Sequence, residues 1–458
     1  MLHSIAKRFS ASAAGVLLAR MMALVSVFGL NAILARRLSP DDFGQFILIF
    51  SLTGLASLFA CVGLNRSIVK RIAEDQKLDP DTAIRVIRFG LTVSLIGGCF
   101  VGIVAAFASL FLSDSHTVSA PMRSILFCSI IIVRSVHLLL AESARGFHER
   151  IWSNLFGSPA GGPIPHLLFV AMLLVFPQPS LLLVLCLYLS AFVVTCPLLA
   201  WKVRQLASSQ TPKPATAQEC NAQTHSDAAL LMSVGVPLMF TQTCGLAMSQ
   251  ADIWIAGCLA APAAIAIYAA AQRMLALLTI SLQIASTAII NFVPELAKSN
   301  NKQKLQQMVG LAANVGGLPG FALALVFLIF AESILTIVFG EHYAQAALIL
   351  RILTAGQIVC LLTGPCEITL MMAGQQKTTL IVNVVAAIAI AVAGSFAVLQ
   401  FGMVGLAVAI ATVTSLQNCA NWYLTHRLLG VWTHVGASSP VSAIQSFLHV
   451  STKKKSHA

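Results

Sequence analysis

Long runs of apolar residues, separated by short polar segments, occupy most of the 458-residue chain. Each run stays apolar over about twenty residues or more, which is the length that an α-helix needs to cross a bilayer. A membrane β-barrel would instead show segments of about ten residues in which polar and apolar positions alternate. The pattern therefore predicts twelve membrane-spanning helices. They are placed at residues 11–34, 45–64, 88–112, 122–143, 152–176, 180–201, 230–257, 263–294, 309–338, 345–372, 379–399 and 403–424.

A polar segment near the middle of the chain divides these helices into two sets of six. Residues 205–228 are rich in Ser, Thr, Gln, Ala and Pro, a composition typical of a linker. The sequence thus predicts an all-α integral membrane protein with two six-helix lobes, at residues 1–204 and 229–427, around a central cavity. We expect residues 205–228 to be a cytosolic linker and residues 428–458 a cytosolic tail, which leaves the membrane as a flexible or interfacial segment.

Composition agrees with a membrane location and excludes an ordinary soluble enzyme. Hydrophobic residues make up 58% of the chain and charged residues only 10%, whereas a typical soluble domain is about 25% charged. The net charge is +12, and most of the Lys and Arg residues fall on one side of the predicted helices. By the positive-inside rule, this asymmetry places both termini in the cytosol and requires no nucleic-acid partner.

The chain lacks the common short motifs of enzymes and ATPases. It contains no G-x-x-x-x-G-K-[ST] loop to hold nucleotide phosphates, no H-E-x-x-H and no G-x-S-x-G. Its cysteines are not spaced as C-x-x-C, and we interpret them as reduced packing residues. We therefore expect neither a catalytic residue nor a metal or other cofactor.

Charged residues deep inside predicted helices are the strongest functional signal. Arg20, Arg134 and Arg273 lie well within spans, where a central charge costs about 3 kcal/mol on insertion scales. A water-filled cavity would remove this cost, and the three arginines are therefore candidates for substrate binding. Asp252 and Glu367 lie nearer to helix ends and are candidates for ion coupling.

Each of these residues also has a structural interpretation. Arg273 could form an ion pair with Asp252, and the helix of Arg134 carries His137 and Glu142 as alternative partners. Amide side chains recur along the spans and can either join helices or contact a hydroxyl-rich substrate. The amides assigned to the predicted cavity are Asn31, Gln242 and Gln250.

Two stretches of sequence resemble the polysaccharide-exporter family, which includes the O-antigen and other lipid-linked oligosaccharide flippases. The first is ARRLSPDDFGQF at residues 35–46, followed by GLN at residues 63–65. The second begins at Gln250 and Asp252, continues through IYAAAQR at residues 267–273, and ends at Pro294. The family belongs to the multidrug/oligosaccharidyl-lipid/polysaccharide exporter (MOP) superfamily, and the resemblance covers about residues 10 to 425.

The resemblance implies a V-shaped bundle of two six-helix lobes in the bacterial inner membrane. Such a protein moves an undecaprenyl-pyrophosphate-linked oligosaccharide, such as an O-antigen or exopolysaccharide repeat unit, between leaflets by alternating access. Its expected partners are this lipid-linked substrate, membrane lipid, a polysaccharide polymerase and a chain-length regulator. Two alternatives remain open: a multidrug or cation antiporter of the same superfamily, and a membrane-embedded glycan polymerase or ligase.

Overall fold

The computed structural model of the protein describes residues 2–74, 80–111, 120–157, 161–209, 217–290, 292–298 and 302–436. The described residues form helices and contain no β-strand. The chain divides into two compact units, residues 1–249 and residues 250–458. This agrees with the predicted all-α membrane protein with two lobes.

The first unit contains eight helices and most of a ninth. These are α1 (Leu2–Arg37), α2 (Pro40–Ala60), α3 (Leu64–Glu74), α4 (Pro80–Phe111), α5 (Ala120–Gly146), α6 (Arg150–Phe156), α7 (Pro163–Leu174), α8 (Leu181–Ser208) and α9 (Ala217–Leu259). Helix α5 lies at the centre of the unit, where it packs against α2, α3, α4, α6 and α8. Leu138, Leu139 and Ala141 of α5 are buried in this apolar core.

The second unit contains the end of α9 and six further helices. These are α10 (Pro262–Ile289), α11 (Val293–Lys298), α12 (Lys302–Phe339), α13 (Ala347–Thr363), α14 (Cys366–Met372) and α15 (Gln376–Leu429). A short 3-10 helix, Glu341–Ala346, joins α12 to α13. Helices α10, α12, α13 and α15 pack together to form the core of this unit.

Local sequence signals explain where several helices begin. At the start of α2, the Ser39 hydroxyl accepts a hydrogen bond from the backbone N–H of Asp42, and Pro40 occupies the first turn. A hydroxyl N-cap satisfies a backbone donor that has no partner within the helix, and proline is tolerated there because it lacks that donor. Likewise, α7 begins at Pro163, so the proline interrupts the predicted helix 152–176, and α6 and α7 are separate helices.

Helix α15 is a hairpin of two antiparallel arms. Gly402 has φ +63° and ψ −150°, which no α-helix contains, and it separates the arms. The two arms are in close contact near the turn, because a Cβ atom at Gly405 would clash with the carbonyl of Ala397. Further along, Asn383 on the first arm is hydrogen-bonded to Gln417 on the second. Residues 34 positions apart in one straight helix would be about 50 Å apart, so the chain must reverse at Gly402. The two arms correspond to the predicted spans 379–399 and 403–424.

Nine of the described helical segments are long and apolar enough to cross a membrane, and α15 is one of these nine although it holds two predicted spans. Some helices differ in length from the prediction. Helices α9 and α12 begin earlier than expected, and α8 and α9 extend into the segment predicted as a linker. The predicted span 345–372 is broken at Gly364, whose φ of +70° ends α13 before α14 begins.

The segment after α15 corrects the expectation of a flexible tail for its first residues. Residues 431–436, here called the C-terminal strap, pack onto the second unit, and Val431 and Thr433 are fully buried. Both backbone polar groups of Trp432 bond the Gln306 amide of α12, at 2.6 Å each. The Thr433 hydroxyl donates to the carbonyl of Thr363, also at 2.6 Å. The rest of the predicted tail, from residue 437 onward, lies outside the described residues.

Candidate functional site

A hydrogen-bonded carboxylate lies where α9 packs near the first half of α10. Asp252 is 8% exposed, and its Oδ2 atom accepts hydrogen bonds from the Tyr268 hydroxyl at 2.9 Å and from Gln272 Nε2 at 2.7 Å. Its Oδ1 atom accepts from the backbone N–H of Ile253 at 2.9 Å. Tyr268 and Gln272 are four residues apart and so share one face of α10. The carboxylate is thus held by neutral donors.

Arg273 follows directly after Gln272 but belongs to a different face of α10. It lies eleven residues from the start of the helix at Pro262, which corresponds to a depth of about 17 Å. The side chain is half-buried, and its Nε atom is buried without a hydrogen-bond partner among the described residues. In the described part of the chain no ion pair joins Arg273 to Asp252. The two side chains are thus not in direct contact, although their opposite charges are close enough to interact electrostatically.

Arg134 is buried inside the first unit. It is 4% exposed, and its guanidinium donates to the Phe50 carbonyl at 3.2 Å and to the Thr53 hydroxyl at 2.9 Å. The same group lies 5.4 Å from the centre of the Phe50 ring and 5.9 Å from those of Tyr188 and Phe192. Cation–π contacts of this kind stabilise a desolvated arginine. These contacts favour a structural role for Arg134 in joining α5 to α2 and α8.

The amides of the predicted cavity differ in their surroundings. Gln242 Oε1 accepts from Asn65 Nδ2 at 2.9 Å, so these amides join α9 to α3. Asn31 is 3% exposed and donates to the Val27 carbonyl, while its Oδ1 atom is buried without a partner among the described residues. Gln250 is half-buried on α9. Arg20 lies on α1, but its side chain lies outside the described residues.

Glu367 is exposed in the first turn of α14, whereas Asp252 is buried. Its Oε1 atom accepts a hydrogen bond from Asn383 Nδ2 at 2.9 Å, and Asn383 in turn accepts one from Gln417 Nε2 at 2.9 Å. Asn65 and Gln417 are polar partners that the sequence pattern does not indicate. A helix reversal at Gly402 places positions 383 and 417 opposite each other on the two arms. A sequence-based prediction of this reversal would therefore also have predicted their contact.

Comparison with solved structures identifies the fold. An inward-facing multidrug resistance MATE family transporter of the MOP superfamily matches with a TM-score of 0.69 at 15% identity, over 91% of this chain and 98% of that one. A MOP superfamily transporter from Pyrococcus furiosus matches with a TM-score of 0.55 at 14% identity, over 91% and 95%. A mutant MATE transporter from Vibrio cholerae gives 0.55 at 12% identity, over 92% and 98%. The fold is therefore that of these membrane transporters.

Family comparison then places the chain more closely. The sequence model of the family described as polysaccharide biosynthesis protein matches residues 5–293, which is more than half of the chain, and the chain belongs to this family. The model of the MatE family matches residues 237–397. None of the curated proteins matches the chain in sequence. The chain thus belongs to the polysaccharide biosynthesis protein family and has the fold of MOP superfamily transporters, in agreement with the resemblance found in the sequence.

Proposed function

We propose that this transporter is a flippase for an undecaprenyl-pyrophosphate-linked oligosaccharide, such as an O-antigen or another surface polysaccharide repeat unit. The observation that carries the proposal is Arg273, a half-buried arginine in the middle of a membrane helix. Among the described residues it forms no direct ion pair, and its buried Nε atom has no hydrogen-bond partner. The family match to polysaccharide biosynthesis proteins supports the glycan part of the substrate. A pyrophosphate is anionic and would complete the hydrogen bonds that the protein leaves open.

In this proposal Arg273 binds the pyrophosphate. Its planar guanidinium can donate two parallel hydrogen bonds to phosphate oxygens, and such charge-assisted bonds are stronger than neutral ones. Arg20, on α1 of the first unit, is proposed as a second phosphate-binding residue on the basis of its depth in the sequence. Gln250 and Asn31 are proposed as neutral groups of the same pathway, because Gln250 is half-buried and Asn31 retains a free acceptor.

Asp252 is the carboxylate that we propose for ion coupling. Its three hydrogen-bond donors are neutral, and among the described residues only Arg273 interacts with its charge, without direct contact. A proton or a monovalent cation bound at Asp252 would neutralise the carboxylate during transport. Glu367 differs, because it is exposed and belongs to a separate hydrogen-bonded group. For this reason we assign it another role below.

A multidrug or cation antiporter is the second candidate function. The MatE family match over residues 237–397 and the multidrug MATE transporter among the similar structures favour it. An exported organic cation would require a carboxylate facing the substrate, whereas Asp252 is buried and fully engaged by its donors. A glycan polymerase or ligase has less support, because the similar solved structures are those of transporters.

Deletion of the gene tests the proposed function directly. A flippase deletion should leave lipid-linked repeat units synthesised but stranded on the cytosolic face, and periplasm-facing glycan should fall. Loss of synthesis of the lipid-linked unit in isolated membranes would instead indicate an enzyme. Unchanged glycan export together with lost resistance to organic cations would support the antiporter.

The proposed location is the bacterial inner membrane with both termini in the cytosol, and the proposed protein partners are a polysaccharide polymerase and a chain-length regulator. Orientation rests on the distribution of Lys and Arg. Reporter fusions at Lys213 and Lys454 should both give cytosolic signals. A periplasmic signal from either fusion would contradict the orientation.

A further inference from the structure

Three polar side chains of the second unit form a continuous hydrogen-bonded row. The row consists of Glu367 on α14, Asn383 on the first arm of α15 and Gln417 on the second arm. Asn383 donates to Glu367 at 2.9 Å, and Gln417 donates to Asn383 at 2.9 Å. Glu367 is exposed, while Asn383 and Gln417 are half-buried. We call this group the polar row.

The carboxylate fixes the orientation of both amides. An ionised carboxylate can only accept hydrogen bonds, so the nitrogen of Asn383 must face Glu367 and its oxygen must face Gln417. The nitrogen of Gln417 then donates to that oxygen. Glu367 Oε2 and Gln417 Oε1 therefore remain as free acceptors, since neither atom has a partner among the described residues. The row presents a defined pattern of acceptors, with the second Asn383 N–H as a donor between them.

Joining helices does not account for this arrangement. The Asn383–Gln417 bond does connect the two arms of α15, as amides in membrane helices often do. That function needs no exposed carboxylate at the end of the row, and no described cation forms an ion pair with Glu367. A carboxylate in contact with lipid hydrocarbon would be costly, so the exposed Glu367 requires water or polar groups beside it.

We propose that the polar row binds hydroxyl groups of the glycan part of the transported lipid. The inference rests on the proposed flippase function and assigns a second part of the substrate to the second unit. Sugar hydroxyls both donate and accept hydrogen bonds, so they can use the free acceptors and the Asn383 donor together. Because internal hydrogen bonds already orient the row, little rotamer freedom is lost when a sugar binds.

The competing ligand for such a row is an organic cation. An ammonium group donates but cannot accept, and it gains from the negative charge of Glu367. The variant Glu367→Gln separates the two ligands. This change removes the negative charge and replaces one acceptor atom by a donor. A sugar hydroxyl can still bind, because it can accept a hydrogen bond, whereas an ammonium group can only donate and loses its partner. Glu367→Met removes hydrogen bonding altogether and should impair either ligand.

The experiment measures the affinity of the full-length protein, purified in detergent, for two probes. One probe is undecaprenyl pyrophosphate, and the other is the lipid-linked oligosaccharide fraction extracted from the deletion strain. Wild-type protein should prefer the glycan-bearing probe. Gln417→Met and Glu367→Met should weaken its binding about tenfold, which corresponds to about 1.4 kcal/mol, and leave the bare lipid within about twofold. Glu367→Gln should lose no more than about threefold.

Gln345→Met is the matched control, because Gln345 is an exposed amide of the same unit whose one hydrogen-bonding partner among the described residues is His342. It should leave both affinities unchanged. If Gln417→Met does not fold, Glu367→Met tests the row from its other end.

Equal weakening of both probes by the row variants, or no preference of the wild type for the glycan, would overturn the proposal. The proposal would also be overturned if Glu367→Gln abolished binding of the glycan-bearing probe and, in addition, removed an affinity for ethidium that the wild type possesses. If the wild type binds neither probe, the flippase function itself fails, and the glycan site fails with it. Replacement of Arg273 should weaken the binding of both probes. This result distinguishes failure of the proposed glycan site from failure of the proposed flippase function.

Discussion

Replacement of Arg273 by Ala separates the substrate-binding interpretation from the structural one. Arg273 forms no ion pair with Asp252, and Asp252 keeps its three donors, from Tyr268, Gln272 and Ile253, when the arginine is removed. We therefore expect Arg273→Ala to insert normally, with membrane abundance within about twofold of the wild type. Had the two residues formed a buried ion pair, breaking it would cost about 3–5 kcal/mol and abundance would collapse.

The expected loss of transport follows from the bonds that the arginine would make to pyrophosphate. A hydrogen bond to a charged group contributes about 1.5–3 kcal/mol, and each 1.4 kcal/mol is a factor of about ten. Loss of one such bond should reduce glycan export about tenfold to one hundredfold. Arg273→Lys should retain more export than Arg273→Ala or Arg273→Gln, because lysine keeps the charge but loses the bidentate geometry.

The assay measures membrane abundance and glycan export in the same cells for Arg273→Ala, Asp252→Asn and the double variant. Additive effects on abundance would agree with the structure, since the residues then share no direct interaction. Rescue of a low Arg273→Ala abundance by Asp252→Asn would show an ion pair in the membrane. Normal export by a stably inserted Arg273→Ala protein would refute the role of Arg273 in substrate binding.

Two further predictions concern the C-terminal strap and are read out as the thermal midpoint of the purified protein. Truncation after Gly430 removes the six hydrogen bonds between the strap and the rest of the unit, each worth about 0.5–1.5 kcal/mol net, and should lower the midpoint by several degrees. Truncation after Gly436 should not lower it. Gly364→Ala should destabilise more than Gly374→Ala, since both glycines have positive φ but only at Gly364 would the added methyl strike the Thr433 carbonyl. Equal midpoints in either comparison would show that the strap does not support the unit.

The helical framework could be predicted because it depends on local sequence. Continuous apolar runs of sufficient length specify membrane helices wherever they occur, and each predicted span contains helix in the structure. Breaks within spans were also partly visible, since Pro163 lacks the backbone donor that a continuing helix would need. Gly364 was harder to interpret, because a single glycine within an apolar run is tolerated by many helices.

Contacts between distant residues could not be predicted in the same way. Asn65 and Gln242 are separated by 177 positions, and nothing in the local sequence of either indicates the other. The C-terminal strap was missed for a related reason. Residues 431–436 have no helical periodicity and are followed by a polar, basic end, so their sequence resembles a solvated tail. Their order comes from Gln306 and from the end of α13, which are more than sixty positions away.

The register of α10 explains why residues adjacent in sequence have different surroundings. Successive residues of an α-helix project about 100° apart, so Gln272 and Arg273 cannot both face α9. Gln272 shares its face with Tyr268, and together they hold Asp252 through neutral hydrogen bonds. Arg273 is left half-buried on a neighbouring face and forms no direct ion pair with a described carboxylate. One turn of α10 thereby keeps the Asp252 carboxylate of α9 and the Arg273 guanidinium close but not in direct contact. This arrangement is compatible with our proposal that a cation binds at Asp252 and an anion at Arg273 during the same transport cycle.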